Sequence, residues 1–383
     1  MDRRQFWTSG AVAALAAGAT AGSALTSRVA RAQAPEKSTR ALMKLGTFVA
    51  KVNDESMKAV ARWGIRNIYA SAPIPNEEPE RLFPTVDELK QMRDVADRNG
   101  VHIDMLRPVR YLDMENIDAQ KHPAIMLGES PQRDRDIEAF QTTIRNCAAA
   151  GIPAIRYTLS IVGNSRTGHV PGRGDSSYIS SSMADFRKGL GSGLGQSQYQ
   201  AQTKAGAVSA DVYWERIKYF LDHVVPVANE YKVRVLSHME DAMVPPGYED
   251  LHPVTNTVDG AKKFVSIQES PYHGLLFCVG TFAEMLQDPA KEFYDVMRWF
   301  GERKKIFMID FRNIRGNRES FVETFPDEGS LDMVRVMQTL KQVGYDGMVC
   351  PDHTPGNPGG PDQVNAFQYG YIRGLIQSVD HMA

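Results

Sequence analysis

The sequence predicts a (β/α)8 barrel, and three observations carry that prediction. Past residue 40, eight short apolar runs alternate with longer amphipathic stretches, as expected of βα units feeding one parallel sheet. A length of 383 residues accommodates one large barrel. No G-x-G-x-x-G or Walker-type loop follows any of the runs, which removes the usual motive for the competing doubly wound sheet.

The first 34 residues stand apart from the barrel. Arg3 and Arg4 precede a weakly apolar Ala/Gly-rich stretch, then small residues spaced A-x-A at Ala30–Ala32 and Ala32–Ala34. This is the pattern of a twin-arginine export signal, cleaved after Ala32 or Ala34. The apolar stretch is too short and too weak for a good membrane span. The mature chain, 35–383, is then a single barrel domain delivered to the periplasm by the twin-arginine machinery.

The strands are expected at 44–49 (KLGTFV), 67–72 (NIYASA), 101–107 (VHIDMLR), 154–160 (AIRYTLS), 234–240 (RVLSHME), 274–281 (GLLFCVGT), 306–313 (IFMIDFRN) and 347–353 (GMVCPDH). Helical spacing marks 54–64, 86–100, 136–151, 211–231, 288–304 and 331–344, several ending in Gly or Asn-Gly as a C-cap should. After the fourth strand comes a long connection, 161–210, rich in Gly and Ser. On a barrel it stands at the rim over the active site and reads as a lid-like insertion.

At 42% hydrophobic and 23% charged the chain can bury a core, and a net charge of −2 gives no sign of a nucleic-acid or other polyanion partner. There are three cysteines, at 147, 278 and 350. An oxidising compartment allows a Cys278–Cys350 disulfide, and a metal-bound thiolate at Cys278 is the competing use.

Four consecutive strands end in metal-competent residues: His238, Cys278, Asp310 and Asp352. Taken singly, a strand cysteine is usually a small buried hydrophobe. A carboxylate inside an apolar run, as at Asp310, needs a partner. Together, an imidazole, a thiolate and two carboxylates suit Mn²⁺, Fe²⁺ or Co²⁺, with Zn²⁺ chemically open. The carboxylate-rich set favours Mn²⁺.

These segments resemble the iron/manganese mannonate dehydratases, whose barrel is xylose-isomerase-like. The resemblance runs through IPN at 74–76, RYTLSIVGNSRT at 156–167, VRVLSHMEDAMVPP at 233–246, FCVGT at 277–281, IFMIDFRNIRG at 306–316 and PDHTP at 351–355. It implies dehydration of D-mannonate to 2-keto-3-deoxy-D-gluconate by a divalent metal, Mn²⁺ or Fe²⁺. His238, Cys278 and Asp352 match three of the family's ligands; the family's second histidine is replaced by Asp310. The third strand also departs, and Arg107 and Arg110 are the substitute partners for the substrate carboxylate. Export is a third departure. The resemblance further implies His353 and Tyr371 as acid/base residues. Tyr157, Arg166, Glu240, Asp241, Arg312 and Asn313 are implied as substrate-binding, with Glu240 and Asp241 alternatively orienting His238.

Two other functions fit a barrel of this kind: a metal-dependent sugar isomerase or epimerase, and a non-catalytic periplasmic binder of sugar acids. Barrels of this kind often form homo-oligomers.

Overall fold

The computed structural model describes residues 40–382 apart from 75–79, 109–116, 119, 121–122, 190–191, 194–203, 242 and 354. The expected signal at 1–34, Arg110, and part of the 161–210 connection lie outside the described residues. The strands are β1 Lys44–Val49, β2 Asn67–Ser71, β3 His102–Arg107, β4 Ala154–Thr158, β5 Ser165–Arg166, β6 Gly168–Pro171, β7 Ser177–Ser182, β8 Ser192–Gly193, β9 Arg234–His238, β10 His273–Cys278, β11 Ile306–Asp310, β12 Asn313–Asn317, β13 Ser320–Thr324 and β14 Met348–Cys350. The helices are α1 Asp54–Arg62, α2 Val86–Arg98, α3 Ala124–Leu127, α4 Gln132–Ala150, α5 Met183–Phe186, α6 Ala210–Tyr231, α7 Val258–Ile267, α8 Val279–Glu284, α9 Pro289–Glu302, α10 Met333–Gln342 and α11 Pro361–His381.

Eight parallel strands close in the order β1-β14-β11-β10-β9-β4-β3-β2. Because β1 pairs with both β2 and β14, the barrel has no open edge. The sequence pattern locates all eight strands but extends six of them too far at their C-terminal ends. GLLFCVGT, for example, stops being strand at Cys278, and Val279 already begins α8.

Strand period two sorts the residues into two cores. Val235, Phe277, Ile309 and Val349 face outward and join the large core beneath the helices. Leu236, Leu276, Met308 and Met348 face inward and fill the barrel with Tyr69, Met105 and Phe307. Helix starts are chemically marked: Asn53 with Ser56 and Thr85 with Glu88 form capping boxes on α1 and α2.

The connection after β4 contains strands the sequence pattern did not mark. β6 and β7 pair with each other and, through β13, with β12, in an antiparallel sheet of order β12-β13-β7-β6. Ser180, Ser181 and Ser182 of β7 register with Val322, Phe321 and Ser320 of β13. A run of serines reads as loop because serine favours turns; pairing with the hairpin after β11 makes it a strand.

The disulfide expectation also fails. β11 lies between β10 and β14, so Cys278 and Cys350 sit two strand spacings apart, about 10 Å, beyond disulfide reach. All three cysteines are free and buried.

Candidate active site

His238, Cys278 and Asp310 end β9, β10 and β11 on the inward face, and one donor atom from each lies within 4.8 Å of the others. Cys278 and Asp310 are direct partners in the parallel register. The corner after Cys278 is held from outside by Phe277, whose ring stacks on Phe282 at 3.9 Å and meets Phe293 and Phe300 edge-on. That packing fixes where the strand stops and therefore where the thiol points.

The chemistry of this trio fits a cation. His238 Nδ1–H donates to the Met239 carbonyl at 2.5 Å, which leaves Nε2 with a lone pair, 3.9 Å from Asp310 Oδ2. Burial pushes the His238 pKa down to about 4, keeping the imidazole neutral. Asp310 Oδ1 is buried and has no hydrogen-bond partner. Burial, and then the charge of Asp352, push the Asp310 carboxyl up to about 8. The Cys278 thiol is likewise raised by burial, and its sulfur accepts from the Thr281 N–H at 3.4 Å. Buried anionic donors that cannot ionise alone become ionised once a cation shares the site.

Asp352 borders the trio. Its Oδ2 lies 3.7 Å from Cys278 Sγ and 3.8 Å from Arg312 Nε. Burial opposes its ionisation, but the charges of His353 and Arg312 outweigh that and hold its pKa below the usual value.

Behind this row stands a buried network of charges. Arg166 binds Glu323 at 2.6 Å and Asp241 at 3.0 Å. Arg312 binds Glu284 at 2.7 Å, Asp241 at 3.0 Å and Glu323 at 3.1 Å, with Thr281 Oγ1 accepting a further bond. Burial, with the Asp241 charge adding to it, pushes Glu284 well above the carboxylate range against the pull of Arg312. Two arginines are thus balanced by two ionised carboxylates, Asp241 and Glu323. Gly280 admits the guanidinium: a Cβ there would stand 2.1 Å from Arg312 Nε.

Several residues expected to contact substrate have other partners in the structure. Arg166 and Arg312 are engaged in this network, with Arg312 Nε the one nitrogen of the two that makes no hydrogen bond. Asp241 is equally occupied. Glu240 accepts from Ser160, Ile161 N, Val162 N and the Tyr213 hydroxyl, so it anchors the loop after β4. The Asn313 amide is consumed by the Pro326 and Leu331 carbonyls and by the Ile314 and Leu331 N–H groups. Tyr157 faces away from the barrel interior, against Phe140 at 5.6 Å and Phe220 at 5.1 Å. Its neighbour Arg156 has the inward parity, over the Tyr69 ring at 5.5 Å. Tyr371 lies on α11, its ring between those of Phe367 and Phe311.

Two expectations sit at the barrel mouth. Arg107 ends β3, half-buried, 5.5 Å from the Phe48 ring. His353 follows Asp352, with Nδ1 2.5 Å from Glu323 Oε2. Burial alone lowers its pKa, but Asp352 and Glu323 outweigh burial and raise it. Glu284, Glu323 and Arg156 escaped the sequence reading. The available signal was Arg312 itself, since an arginine ending an apolar strand requires buried carboxylates.

Comparison with known proteins points to one family. The model of the D-mannonate dehydratase (UxuA) family matches residues 193–383, the half that carries His238, Cys278, Asp310 and Asp352. Mannonate dehydratase of Thermotoga petrophila is 25% identical over 332 residues, covering 78% of this chain and 87% of that protein. The Enterococcus faecalis enzyme is 28% identical over 328 residues, covering 77% and 86%. The crystal structure of mannonate dehydratase from Streptococcus suis superposes with a TM-score of 0.70 at 22% identity, covering 88% of this chain and 95% of that one. A xylose isomerase domain protein from Planctomyces limnophilus shares the fold at a TM-score of 0.53 and 13% identity, covering 88% and 98%. The chain belongs to the D-mannonate dehydratase family, a family of hydro-lyases built on the (β/α)8 barrel.

Proposed function

We propose that this chain removes water from D-mannonate, or a close aldonate, to form the 2-keto-3-deoxy acid, with a divalent ion held by His238, Cys278, Asp310 and Asp352. The observation that carries this reading is the three-donor cluster at the barrel mouth, in the half of the chain matched to the family. Mn²⁺ or Fe²⁺ suits the mixed set of imidazole, thiolate and carboxylates. When bound, such an ion supplies Lewis acidity to the substrate carboxylate.

The chain's own groups supply the rest. Arg107 at the mouth offers a guanidinium to the carboxylate. His353 stands beside Asp352 and is the acid/base group. Loss of the C2 proton and departure of the protonated C3 hydroxyl give an enol, which tautomerises to the 2-keto acid. The buried Arg166–Asp241–Glu284–Arg312–Glu323 network fixes the loops that carry these groups and costs no reorganisation during turnover.

Export completes the proposal: residues 1–34 act as a twin-arginine signal, and the mature enzyme works in the periplasm. Cells lacking twin-arginine transport should retain the uncleaved chain in the cytoplasm. The activity test is incubation of Mn²⁺- or Fe²⁺-loaded protein with a panel of aldonates. Periodate–thiobarbiturate colour should appear with D-mannonate or a close analogue. No 2-keto-3-deoxy product from any aldonate, with metal binding verified, would overturn the reading.

A further inference from the structure

We infer that Glu323, delivered by the antiparallel sheet outside the barrel, is the positioning residue that sets the ring orientation and tautomer of His353. The inference rests on the functional reading above for the role of His353, but not for the geometry. Glu323 is buried on β13, and its two oxygens have different duties. Oε1 accepts from Arg166 Nε at 2.8 Å, Arg166 Nη2 at 2.6 Å and Arg312 Nη1 at 3.1 Å. Oε2 accepts from His353 Nδ1 at 2.5 Å. Arg312 Nη1 also comes within 3.0 Å of Nδ1, but a guanidinium bears no acceptor and cannot receive the Nδ1 proton. The proton therefore belongs on Nδ1, and Nε2 is turned to the Asp352 side, 3.9 Å from Oδ1.

The backbone agrees. His353 has φ +28°, a conformation that a non-glycine residue keeps only when its surroundings hold it. The Gln368 amide donates to its carbonyl at 3.5 Å. β13 is in turn paired to β7 from the connection after β4, so that connection reaches the acid/base histidine through one carboxylate. This gives the inserted sheet a catalytic purpose.

Glu323→Gln makes a specific test. The two arginines only donate, so they keep the amide oxygen at the Oε1 place, and the NH₂ must face Nδ1. The amide then donates to the ring and drives the proton to Nε2, the wrong tautomer for the reaction. We expect kcat to fall by at least about tenfold, within the range acid/base groups supply, with KM and bound metal within about twofold. In a His353→Ala background the same change should leave kcat within about twofold. An equal loss in both backgrounds means a merely structural role and overturns the inference.

A second arm needs no turnover. In zinc-loaded protein with ¹⁵N-labelled histidine, the His353 signal is identified by its loss in His353→Ala. It should show Nδ1 protonated in the native chain, with that signature lost in Glu323→Gln. The same Nδ1 state in both proteins overturns the inference. If Glu323→Gln does not fold, Glu323→Asp replaces it in both arms: it keeps the charge facing the arginines but withdraws from Nδ1. Absence of any dehydration by the native chain condemns the functional reading alone, and the spectra still decide the positioning role.

Discussion

Cys278 and Asp310 face each other across the register of β10 and β11, a thiol and a carboxyl on one inward face with His238 within reach of both. Neither group ionises readily when buried, since burial raises both. A cation resolves that conflict. Cys278→Ala should therefore reduce bound metal sharply, by more than the 10–100-fold that loss of an outer partner typically costs, with the circular dichroism spectrum unchanged. Full metal occupancy in that variant rules the thiolate out as a ligand.

Asp310 adds a charge where the resemblance implies a histidine. With Cys278 and Asp352 it sets three negative charges against a 2+ ion, which weakens the ion as an electrophile and disfavours zinc. Asp310→His should keep the metal and raise turnover of D-mannonate, and should shift preference toward zinc. Loss of metal in this variant assigns Asp310 a different task.

Gly280 is required by the arginine it lets in. A methyl at this position would overlap Arg312 Nε and Cζ, at 2.1 and 2.9 Å, and Arg312 is enclosed by Asp241, Glu284 and Glu323. Gly280→Ala should destabilise the fold by about 1–3 kcal/mol, the usual cost of overpacking, and lower kcat. An unchanged melting temperature would show that the network yields freely.

Asn313 discriminates between substrate contact and architecture. Its amide closes four backbone bonds around the 326–331 turn. Asn313→Ala should cost about 1–3 kcal/mol for each buried group left unsatisfied, seen as a lower melting temperature with KM unchanged. A raised KM at unchanged stability restores it to the substrate site.

His273, at the opposite end of β10 from Cys278, predicts acid sensitivity. Burial lowers its pKa from 6.5 to about 4. Below pH 6.5 the unfolded chain takes up a proton that the folded chain refuses, so stability falls as pH drops from about 6.5 to about 4. The loss amounts to about 3 kcal/mol, at 1.36 kcal/mol per unit. His273→Gln should flatten this slope in urea titrations at several pH values. An equally steep slope in that variant places the acid sensitivity elsewhere.

What the sequence determined by itself was the barrel and its row of donors. Period two in RVLSH, LLFC and FMID puts His238, Cys278 and Asp310 on one face, and the alternation of strands with helices makes that face the inside. The same parity would have excluded Tyr157, which the structure sends to the helix layer with Phe140 and Phe220. Tertiary structure alone decided the rest. Glu323 and Arg166 are 157 residues apart, Arg312 and Asp241 71 apart, and no local pattern encodes which buried charges meet. β7 is a run of serines with weak intrinsic preference, and only the hairpin beside it makes it a strand. Strand periodicity is a local property written in neighbouring side chains. Charge pairing and edge-strand addition depend on which distant segments the closed barrel brings together.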